Sequence, residues 1–246
     1  MSDYSIDINA DVGEGIGNEN KLMPYLSSCN IACGGHTGNE KTMSEVALLA
    51  DKNRVKIGAH PSYPDSEHFG RKRMDISCAA LFTSVKGQVK DLMHVLYKHH
   101  LQLHHIKPHG ALYNDAAKNK TVAEVIIEVM KGIQLPLRLY VPYGSVIADL
   151  AIKERIPITY EAFADRNYND DLTLVSRSLP NAIITDPDDM FEHVYGMISK
   201  NKVKTISGNE VNVKADTYCI HGDNPNAVAL LKALSNKLKT KGVTIQ

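Results

Sequence analysis

The sequence has no tryptophan and only 4 phenylalanines; its aromatic residues are mainly its 11 tyrosines. It has no excess of either charge: 28 Lys plus Arg stand against 28 Asp plus Glu in 246 residues. A chain that grips nucleic acid by its phosphates shows a basic excess or stripe, so no nucleic-acid partner is expected. No apolar run approaches the roughly 20 residues of a membrane helix, so no membrane span is expected. The start, "MSDYSIDINADVGEG", lacks the basic and apolar regions of a signal peptide. The four cysteines, Cys29, Cys33, Cys78 and Cys219, form no CxxC pair. They read as reduced, mostly buried thiols in a cytoplasmic protein. Two nucleotide fingerprints are also missing. "ADVGEGIG" does not supply a G-x-G-x-x-G that opens a helix, and "GGHTGNEKT" lacks P-loop spacing.

What is present is a regular alternation of strands and helices. "YSIDINA", "CNIAC", "VKIGAHP", "LQLHHIKP", "LRLYVP", "PITYEAF" and "TYCIHG" read as strands. Between them, "EKTMSEVALLADKNR", "CAALFTSVKGQVKDLMHVLYKHH", "NKTVAEVIIEVMKGI" and "SVIADLAIKER" have helical spacing. "PDDMFEHVYGMISK" is helical, with Pro187 at its start and acids in its first turn. "PNAVALLKALSNKLKTKG" is the last helix. This predicts a parallel sheet with right-handed crossovers. About seven strand–helix units suit a distorted (β/α) TIM-like barrel; an open doubly wound sheet is the alternative. No linker interrupts the pattern, so residues 1–246 read as a single barrel domain. A small hairpin is inserted near 203–215, with Gly208 and Asn209 at its turn.

Alternation along each strand separates two faces. Ile6, Ile8 and Ala10 oppose Asp7, Asn9 and Asp11; Ile31 opposes Asn30; Ile57 and Ala59 oppose Gly58 and His60. His104 and Ile106 oppose His105 and Lys107; Tyr160 and Ala162 oppose Glu161; Tyr218 and Ile220 oppose Cys219 and His221. The apolar face must pack on outer helices, so the polar face points inward. One such residue could be structural, but a polar residue at nearly every strand end indicates a wet pocket or paired charges, because unpaired buried charges are costly. The following loops, "DVGEG", "CGGHTGN", "AHPSYPD", "KPHGALYN", "EAFADRNY" and "HGDNP", combine the Gly and Pro of sharp turns with His, Asp and Asn.

These loops resemble the LamB/YcsF family, to which the A subunit of the prokaryotic ATP-dependent 5-oxoprolinases belongs. The matching stretches are "INADVGEGIG", "NIACGGHTGN", "IGAHPSYPD" with "FGR", "IKPHGALYN", "YEAFADRNY", "LVSRSLPNAII" and "CIHGDNP", in order from Ile8 to Pro225. The chain departs from the family pattern at Gly35, where an aromatic is usual, and at Asn39, where Asp is usual. The resemblance implies a barrel related to sugar deacetylases. It also implies an enzyme that opens the lactam of 5-oxoproline (pyroglutamate) to glutamate using ATP and water, completed by B and C subunits. ATP, with Mg2+, would then be a co-substrate shared with those partners.

A lactam amide is a poor electrophile, and phosphorylating its oxygen makes attack by water easier. The site then needs positive charge for phosphate or carboxylate, a base for water and hydrogen-bond donors. Lys107 is the candidate cation, Asp11 or Glu161 the general base, and His60 and His109 donors or proton carriers. Asn9, Asn30, His36, Asn114, Asp165, Arg166 and His221 are candidates for the binding wall. The structural alternative for Lys107 is an ion pair with Glu161 that merely closes the barrel. A second enzyme class is a metal-dependent amidohydrolase, with Asp11, His36, His60 and His109 around a divalent ion. A third reading is a non-catalytic lactam- or sugar-binding component.

Overall fold

The strand phases decide the architecture. The computed structural model describes residues 4–224 and 226–246. Its strands are β1 (Tyr4–Val12), β2 (Ser28–Ala32), β3 (Lys56–His60), β4 (Leu103–Ile106), β5 (Arg138–Pro142), β6 (Ile158–Phe163), β7 (Lys202–Lys204), β8 (Glu210–Asn212), β9 (Thr217–His221) and β10 (Val243–Ile245). Its α-helices are α1 (Glu19–Leu22), α2 (Glu40–Lys52), α3 (Cys78–Lys98), α4 (Gly110–Lys118), α5 (Lys120–Lys131), α6 (Val146–Lys153), α7 (Pro187–Lys200) and α8 (Ala227–Thr240). Strands β1 to β6 pair in sequence order, β6 pairs with β9, and β9 pairs with β1. All these pairings are parallel, so seven strands close into a barrel, as the alternation predicts.

The apolar face lies outward as expected. Ile6, Ile8 and Ala10 are buried in the core shared with the helices. The opposite face fills the barrel with a polar network instead of the branched apolar layers usual in such barrels. The Asn9 amide donates to Glu161 Oε1 at 3.0 Å and Thr217 Oγ1 at 2.8 Å, and its carbonyl accepts from Asn30 at 2.8 Å. His105 Nε2 reaches Asn30 Oδ1 at 2.8 Å, and the His105 ring stacks on Tyr140 at 3.9 Å between centroids. Gly58 makes room for that ring: a Cβ there would lie 2.1 Å from His105 Nε2.

Side-chain caps fix several helix starts. Asn39 and Thr42 form a capping box on α2, and Asn119 caps α5. Asp186 caps α7 directly before Pro187. Two elements differ from the sequence reading. Residues 110–118 form a separate helix, α4, whose C-terminal flank Asn119 also starts α5. The chain ends in a short strand, β10, that extends the sheet beside the first residues of β1. The inserted hairpin is present as β7 and β8, paired antiparallel. Pro225, read above as the start of the last helix, lies outside the described residues, as do residues 1–3. Among the described residues no helix is long and apolar enough to cross a membrane.

Candidate active site

The parallel strands all end at one rim. Asp11, His60, Glu161 and His221 stand at or near the C-terminal ends of β1, β3, β6 and β9. Lys107 follows β4 directly, and its N–H continues the ladder to Ala59 O at 2.9 Å. Pro108 has no N–H to offer, the His109 N–H carries the pattern on to Pro61 O at 2.8 Å, and His109 is the residue before α4. Gly110 adopts φ +52°, and a Cβ there would lie 2.7 Å from Gly70 O, so only glycine permits this approach. Over this rim lies a cavity of about 530 Å³, lined at its floor by Asp11, Glu14, His60, Lys107, His109 and Glu161.

Lys107 is 2% exposed, yet its ammonium has a full set of partners. It lies 3.0 Å from Asp11 Oδ1, 3.0 Å from Glu161 Oε1 and 3.0 Å from the Cys219 sulfur, with the Phe163 ring 5.2 Å away. Burial disfavours the charge, but Asp11, Cys219 and Glu161 outweigh it and hold the pKa well above that of ordinary lysine. Burial likewise opposes an ionised Asp11, and His60 and Lys107 together hold its pKa well below the usual range. Lys107 is therefore ammonium and Asp11 carboxylate. Glu161 Oε2 and the Tyr113 hydroxyl are both buried without hydrogen bonds, although the carboxylate is near enough to push the phenol pKa up beyond the effect of burial. A buried carboxylate oxygen free on one side is available to accept a proton or a ligand donor.

The histidines are fixed by backbone carbonyls. His60 Nδ1 lies 2.8 Å from Lys107 O, and His109 Nε2 lies 2.9 Å from Phe69 O. A carbonyl only accepts, so these nitrogens carry the protons. The remaining nitrogens, His60 Nε2 and His109 Nδ1, face each other at 3.0 Å. In the neutral rings both present lone pairs. Burial, His60 and His36 keep His109 well below ordinary histidine, which favours its neutral form. Two carboxylate oxygens join them: Asp11 Oδ2 at 3.3 Å from His60 Nε2, and Glu14 Oε1 at 3.4 Å from His109 Nδ1. Asp11, His60 and His109 bring their ligand atoms together as one group able to hold a cation, and Glu14, His36 and His109 form a second. Each group is two imidazoles and one carboxylate, and in the first the outer ring N–H groups are tied to carbonyls, a donor set that fits a divalent metal ion.

The remaining candidates divide by position. Asn114 and Arg166 also line the cavity, as does His221. Asn9 and Asn30 lie beneath the floor and fix Asp11 and Glu161 from behind, Asn30 donating to Asp11 Oδ1 at 2.9 Å. Asp165 holds His221 through Nδ1 at 2.9 Å and its backbone N–H at 3.0 Å. His36 stacks on His109 at 3.8 Å and bonds Glu14 Oε1 at 2.9 Å. At Gly35 a Cβ would lie 2.3 Å from both Gln88 Oε1 and Ser62 Oγ, so Gln88 takes the space that a side chain would need.

Sequence reasoning missed Glu14, which approaches His36, His60 and His109. Its signal was the flanking "GEG": Gly13 and Gly15 both have positive φ and turn the carboxylate back over the rim. It also missed the cavity mouth. There Arg71 and Arg177 donate to the same Asp223 oxygen, at 2.6 and 2.9 Å. Arg166 is buried behind them and donates to Ala182 O and Val175 O.

Fold and site together define an α/β-barrel protein with a charged small-molecule cavity at the C-terminal ends of its strands. The chain belongs to the LamB/YcsF family, whose model matches residues 6–246. It is 40% identical over 246 residues to the 5-oxoprolinase A subunit of Limosilactobacillus fermentum, covering 98% of each chain. It is 38% identical over 245 residues to the 5-oxoprolinase A subunit of Pyrococcus horikoshii, covering 98% of this chain and 96% of that one. The crystal structure of the lactam utilization protein from Thermus thermophilus superposes with a TM-score of 0.91 at 36% identity, over 98% of this chain and 99% of that one. A family 4 carbohydrate esterase from Streptomyces lividans shares the fold, with a TM-score of 0.53 at 10% identity over 99% of this chain and 92% of the esterase.

Proposed function

We propose that this chain is the A subunit of a cytoplasmic ATP-dependent 5-oxoprolinase and works as one barrel domain with B and C subunits. The observation that carries the reading is Lys107, a buried ammonium between Asp11 and Glu161 at the floor of a cavity sized for a small molecule. The names of the relatives supply the substrate, 5-oxoproline.

In this mechanism ATP, bound with Mg2+ and shared with the partner subunits, phosphorylates the lactam oxygen and leaves as ADP. Water adds to the same carbon, and Asp11 or Glu161 takes its proton. The C–N bond then breaks, the ring nitrogen leaves as an amine, and the carboxyl phosphate remains. A second water releases phosphate and leaves glutamate. Lys107 stabilises the negative oxygen as it forms. His60 and His109 carry hydrogen bonds or protons, and Arg166, Asn114 and His221 hold the ligand. Asn9, Asn30, His36 and Asp165 position these groups. The test is an assay for glutamate with ATP, 5-oxoproline and the candidate partner subunits, with this chain added or omitted. Glutamate formation indifferent to this chain would sink the proposal.

A second reading, a metal-dependent amidohydrolase, is favoured by the facing ring nitrogens of His60 and His109 beside Asp11. Asp11, His60 and His109 would hold the ion, with Glu14 and His36 as an alternative set sharing His109, and the ion would supply Lewis acidity and an acidified water. Metal analysis of the purified chain, together with chelator sensitivity, separates the two readings. About one ion per chain, lost in His60→Ala, is expected if the metal site is real.

A further inference from the structure

The cavity is electrically divided. Its floor carries carboxylates, histidines and one lysine whose charge is answered by Asp11 and Glu161. Its mouth carries three guanidiniums, and among the described residues a single carboxylate, Asp223, is bonded to any of them. Arg71 comes from the segment between β3 and α3, Arg177 and Arg166 from the segment between β6 and α7, and Asp223 from the segment between β9 and α8. Arg71 and Arg177 both spend their contact with Asp223 on one oxygen, Oδ2.

Arg166 is more telling. It is 6% exposed and lines the cavity. Its Nε and Nη2 meet only neutral carbonyls, and among the described residues nothing accepts from Nη1. Its neighbour Asp165 is engaged by His221 and Asn224. A buried cation with no carboxylate hydrogen-bonded to it, close to a second guanidinium, is costly; Asp165 and Asp223 offset part of that cost without bonding to it, and an arriving anion would complete it. Three arginines stand beside two carboxylates, Asp223 and Asp165, so positive charge remains in excess at the mouth. A phosphoryl group, with three oxygens, accepts from several converging guanidinium N–H groups at once, more than the two oxygens of a carboxylate can serve.

The loop geometry supports a built position for Arg71. Phe69, two residues before it, is held at φ +56°, with its carbonyl accepting from His109 Nε2. The Arg71 guanidinium lies 5.0 Å from the Phe69 ring centroid. The loop that orients a floor histidine therefore also sets this arginine at the mouth.

We infer that Arg71, Arg166 and Arg177, tethered by Asp223, form a phosphoryl-binding site at the cavity mouth, which takes a phosphorylated small molecule by its phosphate. This rests on the 5-oxoprolinase reading for the identity of the natural ligand, the phosphorylated lactam or its ring-opened carboxyl phosphate. It does not rest on that reading for the binding itself.

The test uses the full chain alone and inorganic phosphate as probe, followed by calorimetry and thermal shift, with acetate and 5-oxoproline as parallel arms. Phosphate should bind and raise the melting temperature, and Arg177→Met or Arg71→Met should weaken binding at least about 10-fold, the loss expected for one charge-assisted hydrogen bond. Glu124→Gln, a surface change on α5, should leave it unchanged. Absence of phosphate binding to the native chain, or binding unaltered in both arginine variants, overturns the site. Acetate or 5-oxoproline binding as tightly as phosphate, with loss in the same variants, also overturns it and assigns the arginines to a carboxylate. No turnover is measured, so a failed glutamate assay leaves this result standing.

Discussion

The floor and the mouth of the barrel solve the problem of charge differently. At the floor, each main charge is buried and answered by atoms of the chain itself: Lys107 by Asp11 and Glu161, Asp11 by Asn30 as well. At the mouth, Arg71 and Arg177 are partly exposed and share one oxygen of Asp223. The lysine at the floor is complete without ligand and fixes geometry there. The mouth has positive charge left over and gains its full set of partners only when an anion arrives. Preorganised charge suits stabilisation of a reacting oxygen, and unspent charge suits capture.

The largest effect expected from breaking this division is at Lys107. Lys107→Met should abolish glutamate formation in the reconstituted enzyme and cost about 3–5 kcal/mol of stability, because two carboxylates lose their cation. The double variant Lys107→Met with Glu161→Gln should recover part of that stability, read by urea unfolding, but no activity. Recovered turnover would make the lysine structural. Gly58→Ala tests the floor without touching a charge. Its Cβ would overlap His105, whose ring is stacked on Tyr140, so about 1–3 kcal/mol should be lost.

The pH dependence of stability samples the layer outside the barrel. His193 on α7 lies 3.2 Å from Phe163 O, and burial lowers its pKa to about 4. The unfolded imidazole protonates near 6.5, so between these values the unfolded state binds more protons. The contribution of His193 is fully present above about pH 6.5 and is lost as the pH falls toward 4. His193→Gln should flatten that part of the unfolding profile; an unchanged profile would show that other groups dominate. The smallest effect is expected at the mouth. Arg71→Met should change stability by no more than about 1 kcal/mol, since its ion pair is partly exposed. A loss as large as that of the Lys107 variant would erase the distinction between floor and mouth.

Much of the floor was legible because β-strand geometry is periodic. Once Ile6, Ile8 and Ala10 were assigned outward, Asn9 and Asp11 had to face the barrel, and the same rule placed His60, His105, Lys107, Glu161 and His221. Glu14 escaped because it lies in a loop whose path depends on two positive-φ glycines. The contact of Cys219 with Lys107 escaped because it joins strands 112 residues apart. The short strand β10 escaped because its pairing with β1 brings the two ends of the described chain together. Helix α4 was obscured by "KPHGALYN", whose Pro and Gly read as a turn, although the turn lasts only until Gly110.

The sequence by itself determined the alternating α/β order, the inward phase of the polar strand residues and the loops that carry the family resemblance. Each follows from local periodicity and turn chemistry, which are properties of neighbouring residues. Only the tertiary structure decided that β9 closes against β1, that His60 Nε2 and His109 Nδ1 face each other, and that Arg71, Arg177 and Asp223 meet across the mouth. Those depend on the closure of the barrel and on which carbonyl each ring nitrogen meets, and no local pattern along the chain encodes either.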